Sequence, residues 1–300
     1  MNKLEKLKDG SFGEFLADEP MRNHTTFKVG GPADLIMKPT TQQQIIDIVR
    51  YCYRNEIPFM VLGNGSNLLV RDKGIRGVVI KLGKNFSDIK FDGDKVTAQS
   101  GALLSTVSKK SFKQSLSGLE QVSGIPGSIG GAMVMNAGAY DKDVSSVVTK
   151  VRCLTQKGDL LEFTNAQMQF GYRTSVVSKE NLIVLDVEMQ LKKDNFDDIM
   201  ERFKDYDYRR TSKQPLDRNS AGSTFKRPPG YYASKLIDDA GLRGYTYKRA
   251  QVSEKHCGFV INIDDATYEE VMTLIHQVQD IIKEKYGVEL ETEVKIIGEE

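Results

Sequence analysis

The chain has 300 residues, with 42 Lys and Arg against 41 Asp and Glu and a formal net charge of +1, a balance that excludes a nucleic-acid-coating surface or an acidic tail. Hydrophobic residues make up 39%, enough to bury cores in about two domains of ~150 residues each. The first twenty residues hold no signal-like apolar run, which points to the cytoplasm, and Cys52, Cys153 and Cys257, without a CxxC, and the scattered His24, His256 and His276 favour chemistry without a metal.

After a polar opening, TTFKVGGPADLIMKPTT reads as two short strands around Gly30-Gly31-Pro32. In QQQIIDIVRYCYRNE, Ile45, Ile48, Val49 and Cys52 recur at helical spacing and predict one apolar face. FMVL reads as a buried strand, and GNGSNLLVRDKGIRGVVIKL as a glycine-bounded loop with two more strands. A second block opens near residue 83 with the strand KVTAQSG, the helix LLSTVSKKSFK and the uncharged stretch SGIPGSIGGAMVMNAGAY. VVTKVRCLT and LLEFT around QKGD predict a hairpin, NLIVLDVEMQL an alternating strand, and NFDDIMERFKDYDYRR a charged linker helix. In the third region YYASKLIDDA is a helix stopped by Gly241, GFVINI a strand and TYEEVMTLIHQVQDIIKEKYG a long amphipathic helix. In the closing VELETEVKIIG a period of two sets Val288, Leu290, Val294 and Ile296 opposite Glu289, Glu291 and Glu293.

Two glycine-rich loops, GNGSN (63–67) and SGIPGSIGGA (123–132), let backbone N–H groups converge on an anion, and a pair suits a diphosphate or dinucleotide. Neither spells a Rossmann turn or a P-loop, and no GxSxG is present. Ser223, in SAGSTFKRPPG near Lys213, Lys226 and Arg227, is either a turn or cap serine or a hydroxyl poised to give up a proton beside cations. Arg173 in GYRTS and Glu293 in LETEV are either solvated charges or, respectively, a fork for a carboxylate and a group facing a cleft. His256 reads as a hydrogen-bonded structural histidine and Cys257 as a small buried residue.

Taken in order, GNGSNLLV, SGIPGSIGGAMVMNAGAY, YRTS, KQPL, AGSTFKRPPG, SEKHCGF and LETEVKIIG resemble the UDP-N-acetylenolpyruvoylglucosamine reductases of peptidoglycan synthesis, over residues 23 to 298. The resemblance implies an α+β fold: two FAD-binding subdomains of the vanillyl-alcohol-oxidase (PCMH) type, 1–82 and 83–205, and a substrate-binding domain, 206–300. It implies that Gly63, Asn64, Gly65, Ser66 and Asn67, with Gly124, Ile125, Pro126, Gly127 and Ser128, cradle the flavin pyrophosphate. Asn136, Ala137, Gly138 and Ala139 would also lie against the cofactor.

The family's catalytic trio falls on Arg173, Ser223 and Glu293. NADPH would be the hydride donor and a UDP-sugar the substrate, with Lys213, Lys226 and Arg227 the candidates for its diphosphate; no metal, nucleic acid, membrane or protein partner is implied. Asn219 and Thr292 stand where relatives often carry Pro, and Tyr247-Lys248-Arg249 where they are often glycine-rich. The short segment from Arg173 to Leu185 resembles the class without an extra substrate-clamping loop. A related flavin oxidase and a non-catalytic nucleotide-sugar sensor are the rival readings; AGSTFKRPPG and LETEV speak against the first, and the complete trio against the second.

Overall fold

A computed structural model describes residues 3–300; positions 1 and 2, where the first expected domain begins, lie outside the described residues. The chain forms two compact units, one of 1–16, 35–64 and 77–209, the other of 17–34, 65–76 and 210–300. Among the described residues no helix is long and apolar enough to cross a membrane.

The first unit is built on two sheets. One has the strand order Glu14–Pro20, Pro32–Lys38, Ile75–Lys81, Phe59–Leu62, the last two running parallel. The helix Gln42–Arg54 covers it, capped by Thr41, whose hydroxyl accepts from the Gln44 N–H, and the expected face of Ile45, Ile48, Val49 and Cys52 is fully buried. The other sheet is antiparallel, ordered Leu160–Thr164, Val148–Leu154, Ile183–Gln190, Lys95–Gln99, Ile89–Asp92, and includes the expected hairpin. It packs its own core with the helices Leu104–Lys113 and Ile129–Met135.

In the second unit a three-stranded sheet, Thr246–Tyr247, Ala250–Val252 and Val260–Asn262, packs with the helices Ala233–Asp239 and Tyr268–Tyr286. The longer helix buries Val271, Leu274, Ile275, Val278 and Ile282, each worth about 1.5–3 kcal/mol of apolar burial. It opens with a Thr267–Glu270 capping box and closes on Gly287 at φ +68°. Its first turn also donates the Tyr268 N–H to Asp72 at 2.9 Å.

Two expectations need correction. The residues before Gly30 make no strand: Phe27 and Val29 are buried in irregular chain, and the Asn262 side chain donates to the Phe27 carbonyl at 3.1 Å in place of a neighbouring strand. The strand forms instead inside the polar opening, at Glu14–Pro20, where an edge position tolerates Glu14, Asp18 and Glu19. The closing segment is ladder-paired as a strand only at Lys295–Ile297, beside Leu68–Val70, yet keeps its alternation: Leu290 and Val294 are buried and Glu291 is exposed.

All three cysteines are buried and free, and burial pushes the Cys52 and Cys153 thiols up to about 12 and Cys257 to about 11. Native protein at pH 8 is therefore expected to react slowly with a thiol reagent and to release three equivalents only on unfolding; rapid native labelling would contradict this packing.

Candidate active site

In the first unit, the two glycine-rich segments meet. Gly63 lies where a Cβ would stand 2.2 Å from Ser128 Oγ, and Asn64 donates its amide to the Pro126 carbonyl at 2.6 Å. Ser128 caps the helix Ile129–Met135 by accepting from Gly131 N–H, while the Gly127 carbonyl accepts from Leu104 N–H at 2.9 Å and Ile125 N–H closes a turn on Val122. Gly124 is half-buried beside them.

The NAGA segment follows that helix. Asn136 takes the left-handed C-cap position at φ +42°, and its amide N–H₂ donates to Asp143 at 2.9 Å and to the Gly171 carbonyl at 3.1 Å. Its side-chain oxygen is buried without a hydrogen-bond partner among the described residues. Ala137 is buried, and Gly138 and Ala139 pair with Lys142 and Asp143.

Arg173 belongs to the same cluster. Gly171 and Thr174 exchange backbone hydrogen bonds around a two-residue loop, and Arg173 sits at its tip with φ +56°, an unusual conformation for a non-glycine residue. Both terminal nitrogens of its guanidinium reach the Gly138 carbonyl at 3.4 Å. The turn thus aims a half-buried cation along the NAGA segment.

The loop before SGIPGS is tied down by a residue that sequence reading missed. Glu120, 2% exposed, accepts from Gly118 N–H at 2.7 Å, from Ser117 Oγ at 2.9 Å and from the Arg202 guanidinium at 2.9 Å. Burial raises its pKa, but the Gly118 N–H and the other donors outweigh that and hold the carboxyl below its ordinary 4.5. A lowered folded pKa contributes stability that is complete above 4.5 and is lost as the pH falls through the folded value. Glu120→Gln is expected to cost about 1–3 kcal/mol at neutral pH and to flatten the acid side of the stability profile; an unchanged thermal-unfolding profile against pH would contradict the assignment.

The second unit contains the other two members of the trio. Phe225 bridges Thr292 antiparallel, Glu293 N–H donates to Thr224 O and Lys226 N–H to Glu291 O, each at 2.8 Å. This short ladder contains Glu293, and Ser223 immediately precedes it, exposed, while Thr224 is anchored by accepting Val260 N–H at 2.9 Å. Asn67 joins them: its amide donates to the Glu293 carbonyl at 3.3 Å, and its own carbonyl accepts from Lys295 N–H. Gly65, at φ +66°, has no room for a Cβ beside the His24 carbonyl, and its carbonyl accepts from Thr26 N–H. Ser66 lies between them, half-buried.

The candidate diphosphate groups each have their own setting. Lys226 is paired with Glu291 at 2.6 Å, Arg227 stacks 3.9 Å over the Tyr232 ring, and Lys213 is exposed at the end of the helix Phe196–Lys213. Tyr232 was not legible as a partner, because the turn at Gly230 brings it back to Arg227. Arg249 is engaged with Glu270 at 2.9 Å, and His256 accepts Gly258 N–H while burial lowers its pKa.

The chain is similar to proteins of known name. Residues 214–297 fit the family profile described as UDP-N-acetylenolpyruvoylglucosamine reductase, C-terminal domain, and residues 33–164 the profile described as FAD binding domain. A UDP-N-acetylenolpyruvoylglucosamine reductase of Clostridioides difficile is 49% identical over 94% of this chain and 93% of its own length. The chain belongs to the UDP-N-acetylenolpyruvoylglucosamine reductase family. The reductase of Clostridium botulinum (strain Hall) is 52% identical over 95% of this chain and 93% of its own. The crystal structure of the Thermus caldophilus reductase superposes with a TM-score of 0.81 at 33% identity, covering 94% of this chain and 98% of that one.

The fold of this reductase-family chain is accordingly α+β, a FAD-binding part with the family's C-terminal domain. Its residues fit the flavin that the profile names. Gly63 packs so closely on Ser128 that a Cβ would stand 2.2 Å from its Oγ, and Asn136 keeps a buried oxygen without a partner among the described residues, both compatible with a polar group held by backbone.

Proposed function

We propose that the protein reduces the enolpyruvyl ether of UDP-N-acetylglucosamine enolpyruvate to UDP-N-acetylmuramate for peptidoglycan synthesis, with FAD as bound cofactor, NADPH as hydride donor and the cytoplasm as its place of action. Within this reading residues 1–82 and 83–205 hold the cofactor and 206–300 the substrate. What supports it, beyond family membership, is the ladder that sets Ser223 and Glu293 beside Asn67 of the glycine-rich loop.

When bound, FAD supplies two-electron carriage, accepting hydride from NADPH and releasing it toward C3 of the enolpyruvyl group. The chain's own residues handle charge and proton. Hydride addition at C3 pushes negative charge onto C2 and the substrate carboxylate, where Arg173 offers a fixed cation and Glu293 a hydrogen-bonding side chain. Ser223 Oγ–H gives its proton to C2, and the alkoxide is reprotonated from solvent, so that hydride and proton together saturate the double bond. Gly63 to Asn67 and Gly124 to Ser128 hold the cofactor's pyrophosphate by backbone, Asn136 to Ala139 line it, and Lys213 and Arg227 meet the UDP diphosphate. Lys226 would join them by leaving Glu291, an exposed pairing of small net worth.

The test is NADPH consumption by purified protein. It should require the enolpyruvyl sugar and should not be replaced by oxygen; consumption that follows oxygen and ignores the sugar would favour an oxidase.

A further inference from the structure

Within the second unit, the irregular chain around Phe27 gives its polar groups to two neighbours that the proposed reaction uses. Thr26, half-buried, donates its N–H to the Gly65 carbonyl of the glycine-rich loop at 3.2 Å and its hydroxyl to the Ser220 carbonyl at 2.7 Å. The first contact is close-packed: a Cβ on Gly65 would stand 2.2 Å from the His24 carbonyl oxygen and 3.0 Å from Thr25 Cα. The second falls three residues before Ser223. Just upstream, the Asn219 carbonyl accepts from Asn262 N–H at 2.8 Å, and the Asn262 side-chain amide donates in turn to the Phe27 carbonyl at 3.1 Å. Downstream, Thr224 is anchored to Gly258 and Val260. The chain between these anchors is Ala221, Gly222 and the exposed Ser223, and it turns at Gly222, at φ +76°. A hydroxyl on so short a span points where the two held ends direct it.

We propose that Thr26 is a positioning residue for the proton transfer to C2. Its hydroxyl fixes the upstream end of the span that carries Ser223, and its N–H ties that span to the glycine-rich loop. The proposal rests on Ser223 as the proton donor. Thr26 itself passes no proton to the substrate; it acts through the direction of the Ser223 hydroxyl.

The experiment compares Thr26→Val, which exchanges the hydroxyl for a methyl group of similar shape, with Thr26→Ser, which keeps it, in the full-length flavoprotein. Rapid mixing follows the two half-reactions in H₂O and in D₂O, and steady-state assays give the KM for the enolpyruvyl sugar. Thr26→Val is expected to slow flavin reoxidation by the sugar about tenfold, short of the ~10² that ~1 Å of misplacement costs, because Asn262 still holds Asn219. The solvent isotope effect on that step should rise, while the KM and the rate of flavin reduction by NADPH stay at the parent values. Thr26→Ser should recover the parent rate. Reoxidation of Thr26→Val at the parent rate overturns the proposal. Equal slowing of both half-reactions, a raised KM with kcat intact, slowing without a rise in the isotope effect, or a serine variant as slow as the valine also overturns it. Thr26→Ala, which removes the hydroxyl and inserts nothing, decides by the same measurements should the valine variant not fold. Ser223→Ala, run alongside, separates the two readings: at the parent rate it removes the donor and both readings fall, whereas a slow Ser223→Ala beside a normal Thr26→Val removes only the role of Thr26.

Discussion

Ser223→Ala is expected to lower the rate of enolpyruvyl-sugar reduction by about 10²–10⁴, the usual contribution of a positioned proton donor, while the reaction of NADPH with the bound cofactor stays near normal. The selectivity follows from the proposed role, in which only the step that saturates C2 needs the hydroxyl. Stability should change little, since Ser223 is exposed and the neighbouring backbone is anchored through Thr224, whose N–H donates to the Gly258 carbonyl and whose hydroxyl oxygen accepts from the Val260 N–H. Rapid-mixing measurement of the two half-reactions separates the cases. Equal loss of both would mark a structural defect, and loss of neither would remove Ser223 from the chemistry. Substitution by cysteine should recover part of the second half-reaction, because a thiol also carries a transferable proton.

Gly63→Val is expected to lower FAD affinity about 5- to 150-fold, because overpacking of a tight seam costs about 1–3 kcal/mol, tenfold for each 1.4 kcal/mol, and here falls on the wall proposed to meet the cofactor. A Cβ alone would stand 2.2 Å from Ser128 Oγ and 3.2 Å from Ser128 Cβ, so the valine must push apart the segments that Asn64 ties to Pro126. Gly131→Ala is the contrasting control. Its Cβ would meet only Ser128 Oγ, at 3.5 Å, and a helical alanine should leave flavin content intact and raise stability slightly. Flavin absorbance per protein, measured with the melting temperature, checks both; a valine variant that retains its flavin would show that the seam does not bear on the cofactor.

Long periodic segments were legible because a single face decides them. Ile45, Ile48, Val49 and Cys52 needed only helical spacing, and the hairpin around QKGD only its turn and its two flanking strands. Residues 25–31 misled because Phe27 and Val29 alternate like a strand, while the Phe27 and Lys28 carbonyls accept from the Asn262 amide, more than 230 positions away, and the Val29 carbonyl from the Thr25 hydroxyl. The family motifs marked Arg173, Ser223 and Glu293, but the reasons for their placement are not local. Arg173 depends on a left-handed turn and on Gly138, and Glu293 on Thr224 and Asn67. Glu120 with Arg202 went unread because the two sit on separate elements with no fixed spacing, and Tyr232 beneath Arg227 because only the turn at Gly230 brings them together.

In the proposed reaction, reducing equivalents pass from NADPH to the enolpyruvyl sugar through the bound flavin. Its most direct test is anaerobic: reduce the flavoprotein with one equivalent of NADPH, then add UDP-N-acetylglucosamine enolpyruvate and record the flavin spectrum. Full return of the oxidised spectrum without oxygen is expected, with one equivalent of the saturated lactyl ether formed. A flavin that stays reduced until oxygen is admitted would contradict it.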